Sequence, residues 1–250
     1  MKRTVLIVML FWSVNVFAQN VNVQLKEASN LEKSFKDDQA LIKYKDVLVT
    51  DPNNIFALVR SSELLSVIGS RQSDKNAKLD YFTKARDFAE KALAINANSV
   101  EANYVRAVVA AKLTEVEPEN KKVIADVKDI KVYADKALTI NPNFGKANYV
   151  LGKWNYEMVS LSWAKRTAIK VIFGGMPDAS IENAFQYMEK CKALEPYFVL
   201  NYLDLAKAYK YDNQPAKAID VLNQLVKLPT RTSDDVALKT EGKKLLAEMQ

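Results

Sequence analysis

Apolar residues recur every three or four positions along most of the chain. Phe82, Ala85, Phe88, Ala89, Ala92 and Leu93 form one such run. This spacing puts the apolar side chains on one face of an α-helix. No segment alternates apolar and polar residues as a half-buried strand would. The helical runs stop at short segments: VTDPNN (Val49–Asn54), INANS (Ile95–Ser99), INPNF (Ile140–Phe144), LEPYF (Leu194–Phe198) and KLPTR (Lys227–Arg231). Proline cannot continue a helix, and Asp or Asn tolerates a turn. The pattern predicts about eleven helices, the last over Asp234–Met249. TSDD at Thr232–Asp235 offers that helix an N-cap and acidic residues at its positive end.

One stretch is written almost twice: ALAINANSVEANYVRA at Ala92–Ala107 and ALTINPNFGKANYVLG at Ala137–Gly152. Two series of mostly small residues extend this register. The first is Ala28, Ser62, Ala107, Gly152 and Ala206. The second is Ala40, Ala85, Ile130, Ala184 and Ala218. Ala40 to Ser62, Ala85 to Ala107, Ile130 to Gly152 and Ala184 to Ala206 each span 22 positions. The complementary intervals are 12, 23, 23, 32 and 12. Small side chains let two helices approach closely, so the constant interval reads as helix B, a tight turn and helix A of the next unit. The variable interval is the hairpin from A to B. Together 22 and 12 complete the 34-residue period of the tetratricopeptide repeat. The middle hairpins carry 11, 11 and 20 extra residues. Eleven residues make about three helical turns and can lengthen both arms. Ile130 departs from the small-residue rule. The expected fold is therefore all-α: a tetratricopeptide-like solenoid of about five helical hairpins with lengthened middle repeats. A C-terminal helix caps the last repeat, and the repeats form one domain over residues 19–250. The doubled segment is a seam between units.

Six glycines and seven prolines in 250 residues agree with a helical chain. There is no histidine, which removes Ser-His and Cys-His nucleophilic pairs and imidazole metal ligands. The single cysteine, Cys191, forms no intrachain disulfide. It occupies a small-residue crossing position and reads as a core thiol. The net charge of +6 is spread along the chain, which does not point to nucleic acid. At the start, Lys2 and Arg3 precede the apolar run Val5–Trp12, too short to span a bilayer by itself. Val16 and Ala18 fit the small-residue cleavage pattern. Residues 1–18 are expected to be a signal peptide cleaved after Ala18, giving an exported, periplasmic protein. The alternative is an uncleaved anchor extended through Phe17. With no cysteine beside the cleavage position, a lipoprotein is not expected.

Inner positions of the A helices are Tyr104, Tyr149, Lys153, Tyr156, Lys207, Lys210 and Tyr211. Tyrosine beside lysine suits an extended peptide with acidic groups. The alternative is that the tyrosines simply fill a narrow groove. Glu115, Glu117 and Glu119 flank Pro118 at a hairpin tip without calcium-loop spacing. The longest insertion, WAKRTAIKVIFGGMPDAS (Trp163–Ser180), spaces Trp163, Ile169, Ile172 and Phe173 among Lys165, Arg166 and Lys170. Gly174 and Gly175 end this helical pattern. The stretch reads as a hairpin arm packed on the solenoid or as a basic amphipathic element that meets a membrane surface or partner.

LGKWNYE at Leu151–Glu157, LSW at Leu161–Trp163, PDASIENA at Pro177–Ala184 and LPTRTSDD at Leu228–Asp235 resemble the regulator of microtubule dynamics family. The similarity is strongest over about Asn141–Leu246. The resemblance implies a tetratricopeptide-like, all-helical adaptor with no catalytic motif and no cofactor. The expected function is a non-enzymatic exported scaffold that holds a protein or peptide in its groove. The alternative is a membrane-associated adaptor docked through the 163–175 insertion or an uncleaved N-terminus.

Overall fold

The computed structural model describes residues 21–162, 166–167, 169–171, 174–175 and 178–250. The expected signal peptide lies outside the described residues, as do Trp163, Lys165, Ile172 and Phe173. Among the described residues the regular structure is helical, without strands. Helix α1 covers residues 21–33. It is followed by α2 (Asp37–Thr50), α3 (Ile55–Ser70), α4 (Lys75–Ile95), α5 (Val100–Thr114), α6 (Asn120–Ile140) and α7 (Gly145–Val159). Then come α8 (Ile181–Leu194), α9 (Val199–Tyr211), α10 (Pro215–Leu225) and α11 (Asp235–Ala247).

Every turn from a B helix into the next A helix, up to α9, is four residues long: 51–54, 96–99, 141–144 and 195–198. This is the constant part of the period. The hairpin arms vary instead. α4 and α6 each run 21 residues, against 11 for α10. Two of the four turns end in polar N-caps: Asn54 accepts from the Ala57 amide at 3.0 Å and Ser99 from the Ala102 amide at 3.1 Å. The other two place Phe144 and Phe198 at the cap, with no side-chain cap bond.

The chain divides into two compact units, Met1–Ala97 and Asn98–Gln250. In the first, α3 packs on α2 and α4. The Ser62 hydroxyl donates to the Ala85 carbonyl at 2.8 Å, so these two register positions meet directly. Tyr44 and Phe82 are the largest fully buried aromatic side chains of this unit. Arg60 ties α3 to α1 through Glu32 and also pairs with Glu63 on its own helix.

In the second unit α5 to α10 pack in chain order, and α11 lies against α9 and α10. Gly152 sets the α7–α8 crossing. A Cβ there would fall 2.6 Å from Met188 Cγ and 3.1 Å from the Ala184 carbonyl oxygen. Ile130 is buried although it breaks the small-residue series. Its helix packs against α5, which supplies Ala102, Ala107 and Ala110, all fully buried.

Helix α11 packs Leu238, Leu245 and Leu246, with Met249 just beyond it, against the apolar cluster of α9 and α10 that includes Leu203, Leu222 and Leu225. Gly242 brings it close enough that a Cβ would meet Leu225 Cδ2 at 2.6 Å. The last helix therefore caps the final repeat, as the sequence predicts. Its start differs from the expected N-cap. Asp234 holds the cap position, but its side chain does not make the cap hydrogen bond to the helix. Asp235, one residue inside, turns back instead. It accepts from the Arg231 and Thr232 amides at 2.7 and 2.9 Å and from the Thr232 hydroxyl at 2.7 Å. The carboxylate thereby fixes the incoming turn.

Candidate functional site

The A helices of the second unit, α5, α7 and α9, neighbour one another. The seven residues expected to line a groove lie on these three helices, and the structure sorts them by depth. Tyr104 and Tyr149 are only 8% and 7% exposed. Each packs edge-on against the phenylalanine that caps the next A helix: Tyr104 on Phe144 at 5.4 Å and Tyr149 on Phe198 at 5.0 Å. Where a turn gives up its polar cap, a tyrosine ring from the preceding repeat packs on the replacement. These two tyrosines form the floor of the face.

Asp204, 5% exposed, is the centre of the polar contacts. Its Oδ2 accepts from the Tyr149 hydroxyl at 2.7 Å and from Lys153 Nζ at 3.1 Å. Lys207 Nζ lies 3.7 Å from the other oxygen. Burial and the Asp204 carboxylate hold the Tyr149 phenol well above its ordinary value. For Lys153, burial opposes the charge, but Asp204 and Glu157 beside it outweigh that and raise its pKa. Glu157 is pushed upward by its crowded surroundings and by the carboxylates of Asp204 and Glu115, against the pull of Lys153.

The accessible part of the face comprises Lys153, Tyr156, Lys207, Lys210 and Tyr211. Tyr156 and Tyr211 meet edge-on at 5.8 Å. Tyr211 is 51% exposed, and its hydroxyl donates to the Val159 carbonyl at 2.9 Å. Lys207 reaches Glu241 of α11 at 2.8 Å, and Lys210 reaches Glu248 just beyond α11 at 3.7 Å. The sequence reading missed Asp204, Glu241 and Glu248. A signal for Asp204 did exist: two positions before each member of the first small-residue series stand Lys26, Arg60, Val105, Val150 and Asp204, so Asp204 is the one acid in that row. A charge at such a position needs partners when the helix face is buried.

Of the insertion residues, Arg166 and Lys170 are exposed. Arg166 donates to the Val159 carbonyl at 2.6 Å, the same oxygen that Tyr211 uses. Gly174 has φ +70°, and the Gly175 amide donates to the Lys170 carbonyl at 2.9 Å, which is the expected glycine stop. Cys191 is buried at its crossing position, and burial with the nearby Glu195 pushes its thiol up to about 12. At the acidic hairpin tip, Lys112 pairs with Glu115 and Lys122 with Glu119.

A family model described as Regulator of microtubule dynamics protein 1-3 matches residues 24–250. The chain belongs to the regulator of microtubule dynamics family. Regulator of microtubule dynamics protein 1 of Mus musculus is 28% identical over 223 residues, covering 89% of this chain and 70% of that protein. The Bos taurus protein of the same name is 26% identical over 223 residues, covering 89% and 68%. Among solved structures, a thermophilic TPR protein of Thermus thermophilus matches with TM-score 0.64 at 14% identity, over 91% of this chain and 99% of its own. PilW, a type IV pilus biogenesis factor, matches with TM-score 0.55 at 19% identity, over 92% and 90%. The fold is a tetratricopeptide-like helical-hairpin solenoid.

The segments that carry the family resemblance have physical roles in the second unit. Within LGKWNYE, Gly152 sets the crossing, Lys153 meets Asp204, and the Trp154 ring nitrogen donates to the Val127 carbonyl at 3.4 Å. The Asn155 side-chain oxygen accepts from the Ser180 amide at 3.2 Å, tying the end of the long insertion to α7. Within LPTRTSDD, the Arg231 guanidinium lies 3.7 Å from the centre of the Tyr197 ring, and Asp235 closes the turn.

Proposed function

We propose that this chain is a non-enzymatic, exported scaffold that binds a protein or peptide segment along the α7–α9 face. The observation that carries the reading is the combination on that face. A rigid polar floor is centred on Asp204, and accessible tyrosines and lysines stand above it. Rigid aromatic anchors bind with little loss of side-chain freedom, and a preorganised surface lowers the ordering cost of association. Repeat folds present such surfaces because each unit is held by its neighbours. The family membership and the tetratricopeptide-like fold support an adaptor role.

The burial of Tyr149 decides which substitutions test this. Tyr149→Ala would disturb the fold, because that ring packs on Phe198 and its hydroxyl serves Asp204. Tyr156→Ala combined with Tyr211→Ala removes the accessible ring pair instead. In affinity capture from the native cell envelope, this double variant is expected to retain less than about a tenth of a specific partner. Its helical circular dichroism should match the parent. Full retention by the folded variant would remove the α7–α9 face from the proposal.

Export rests on Lys2, Arg3 and the apolar run Val5–Trp12. The N-terminus of the protein recovered from cells is expected at Gln19. A mature chain that starts at Met1 and stays in the cytosolic fraction would refute export.

A further inference from the structure

We propose that Glu241 and Glu248 are internal occupants of a lysine pair on α9, and that an acidic peptide segment binds there by displacing them. This deepens the reading of the α7–α9 face and rests on it. The ion pairs of the face fall into two kinds. Asp204 is buried, its bonds to Tyr149 and Lys153 hold α7 to α9, and its second oxygen lies 3.7 Å from Lys207, which therefore keeps this carboxylate when Glu241 leaves. The Lys207–Glu241 and Lys210–Glu248 pairs are open to water: their side chains are 36% and 53%, then 47% and 50%, exposed. Exposed pairs of this kind contribute little, so one carboxylate replaces another at small cost.

Helix α11 does not depend on these pairs for its position. Its apolar side packs Leu238, Leu245 and Leu246 on the α9–α10 cluster, joined by Met249 just beyond the helix, with Gly242 against Leu225. Apolar burial is the larger contribution to holding a helix in place. Glu241 and Glu248, seven residues apart, fall on one stripe of the helical repeat. Lys207 and Lys210, three apart, fall on one stripe of α9. The arrangement is two carboxylates set against two lysines, beside the Tyr156–Tyr211 ring pair. A segment that carries two acidic side chains reproduces the carboxylates, and the rings give its backbone an apolar contact. While Glu241 and Glu248 occupy the lysines, they weaken any such ligand by competition. This makes the site selective for segments with more than one acid.

The test measures binding of a fluorescent hexaglutamate peptide to the full chain, to the E241Q/E248Q variant and to the K207Q/K210Q variant. Removing the internal carboxylates is expected to tighten binding about three- to tenfold. Removing the lysines is expected to weaken it by at least as much. Added salt should reduce the difference between variants. Equal affinity for the parent and E241Q/E248Q overturns the displacement. Equal affinity for the parent and K207Q/K210Q, or stronger binding of hexalysine than of hexaglutamate, overturns acidic recognition. None of these results decides the broader reading of the face, which stands or falls with the Tyr156/Tyr211 capture experiment.

Discussion

Gly152→Val is expected to destabilise the second unit by at least about 3 kcal/mol. In a chain of this size that lowers the melting temperature by roughly 6–12 °C. The Cβ of any substitute falls 2.6 Å from Met188 Cγ and 3.1 Å from the Ala184 carbonyl oxygen and the Met188 amide nitrogen. A methionine side chain can move aside. The backbone of α8 can move only if the helix shifts away from α7. The intrinsic preference for alanine over glycine inside a helix, about 1 kcal/mol, works in the opposite direction. A net loss in Gly152→Ala would therefore already show that the crossing dominates. Gly174→Ala provides the contrast. It has φ +70° and nothing within 4 Å among the described residues, so backbone strain of about 1–2 kcal/mol is the effect expected. Thermal melts followed by circular dichroism compare the three variants. If Gly152→Val melts within about 2 °C of the parent, α7 and α8 do not cross at this glycine.

Asp204→Ala is the second large effect, expected to cost about 2–4 kcal/mol in urea unfolding. The substitution leaves the Tyr149 hydroxyl and the Lys153 ammonium without the carboxylate that now serves both. Much of the cost is the penalty of those two stranded groups. A variant that also carries Tyr149→Phe and Lys153→Met removes them and should recover more than half of the loss. Replacing a whole polar set by apolar groups is far milder than removing one member. Tyr149→Phe alone should cost about 1–2 kcal/mol. If the triple variant is no more stable than Asp204→Ala, then Asp204 acts through something other than these two partners.

Much of the fold is legible in the spacing of small residues. Ser62 and Ala85 were placed in register by interval alone, and they meet in a 2.8 Å hydrogen bond. Gly152 and Ala184 likewise come together at the α7–α8 crossing, although the hairpin joining them carries the longest insertion. Added residues extend the arms and the loop of a hairpin and leave the crossing unchanged, which is why intervals of 12, 23 and 32 all preserve it. The glycine stop at Gly174–Gly175 was equally local and equally legible.

The candidate site was legible only in part. The tyrosines and lysines were found because helix periodicity assigns a face to each residue. Periodicity does not say which residues on that face are paired or covered. Tyr104 and Tyr149 occupy the same repeat position as possible anchors, yet Phe144 and Phe198 cover them from the next helix. Phe198 is 49 residues from Tyr149, and Asp204 is 55 residues away.

By itself the sequence determined the helices, their turns, the repeat register and the family, because each is fixed by interactions within a few residues or by a regular interval. Only the tertiary structure decided the charge pattern of the α7–α9 face. Lys153 belongs to Asp204, Lys207 to Asp204 and Glu241, and Lys210 to Glu248. A charge takes its partner from whichever helix packs within a few ångströms, and that distance is set by packing between helices far apart in the chain.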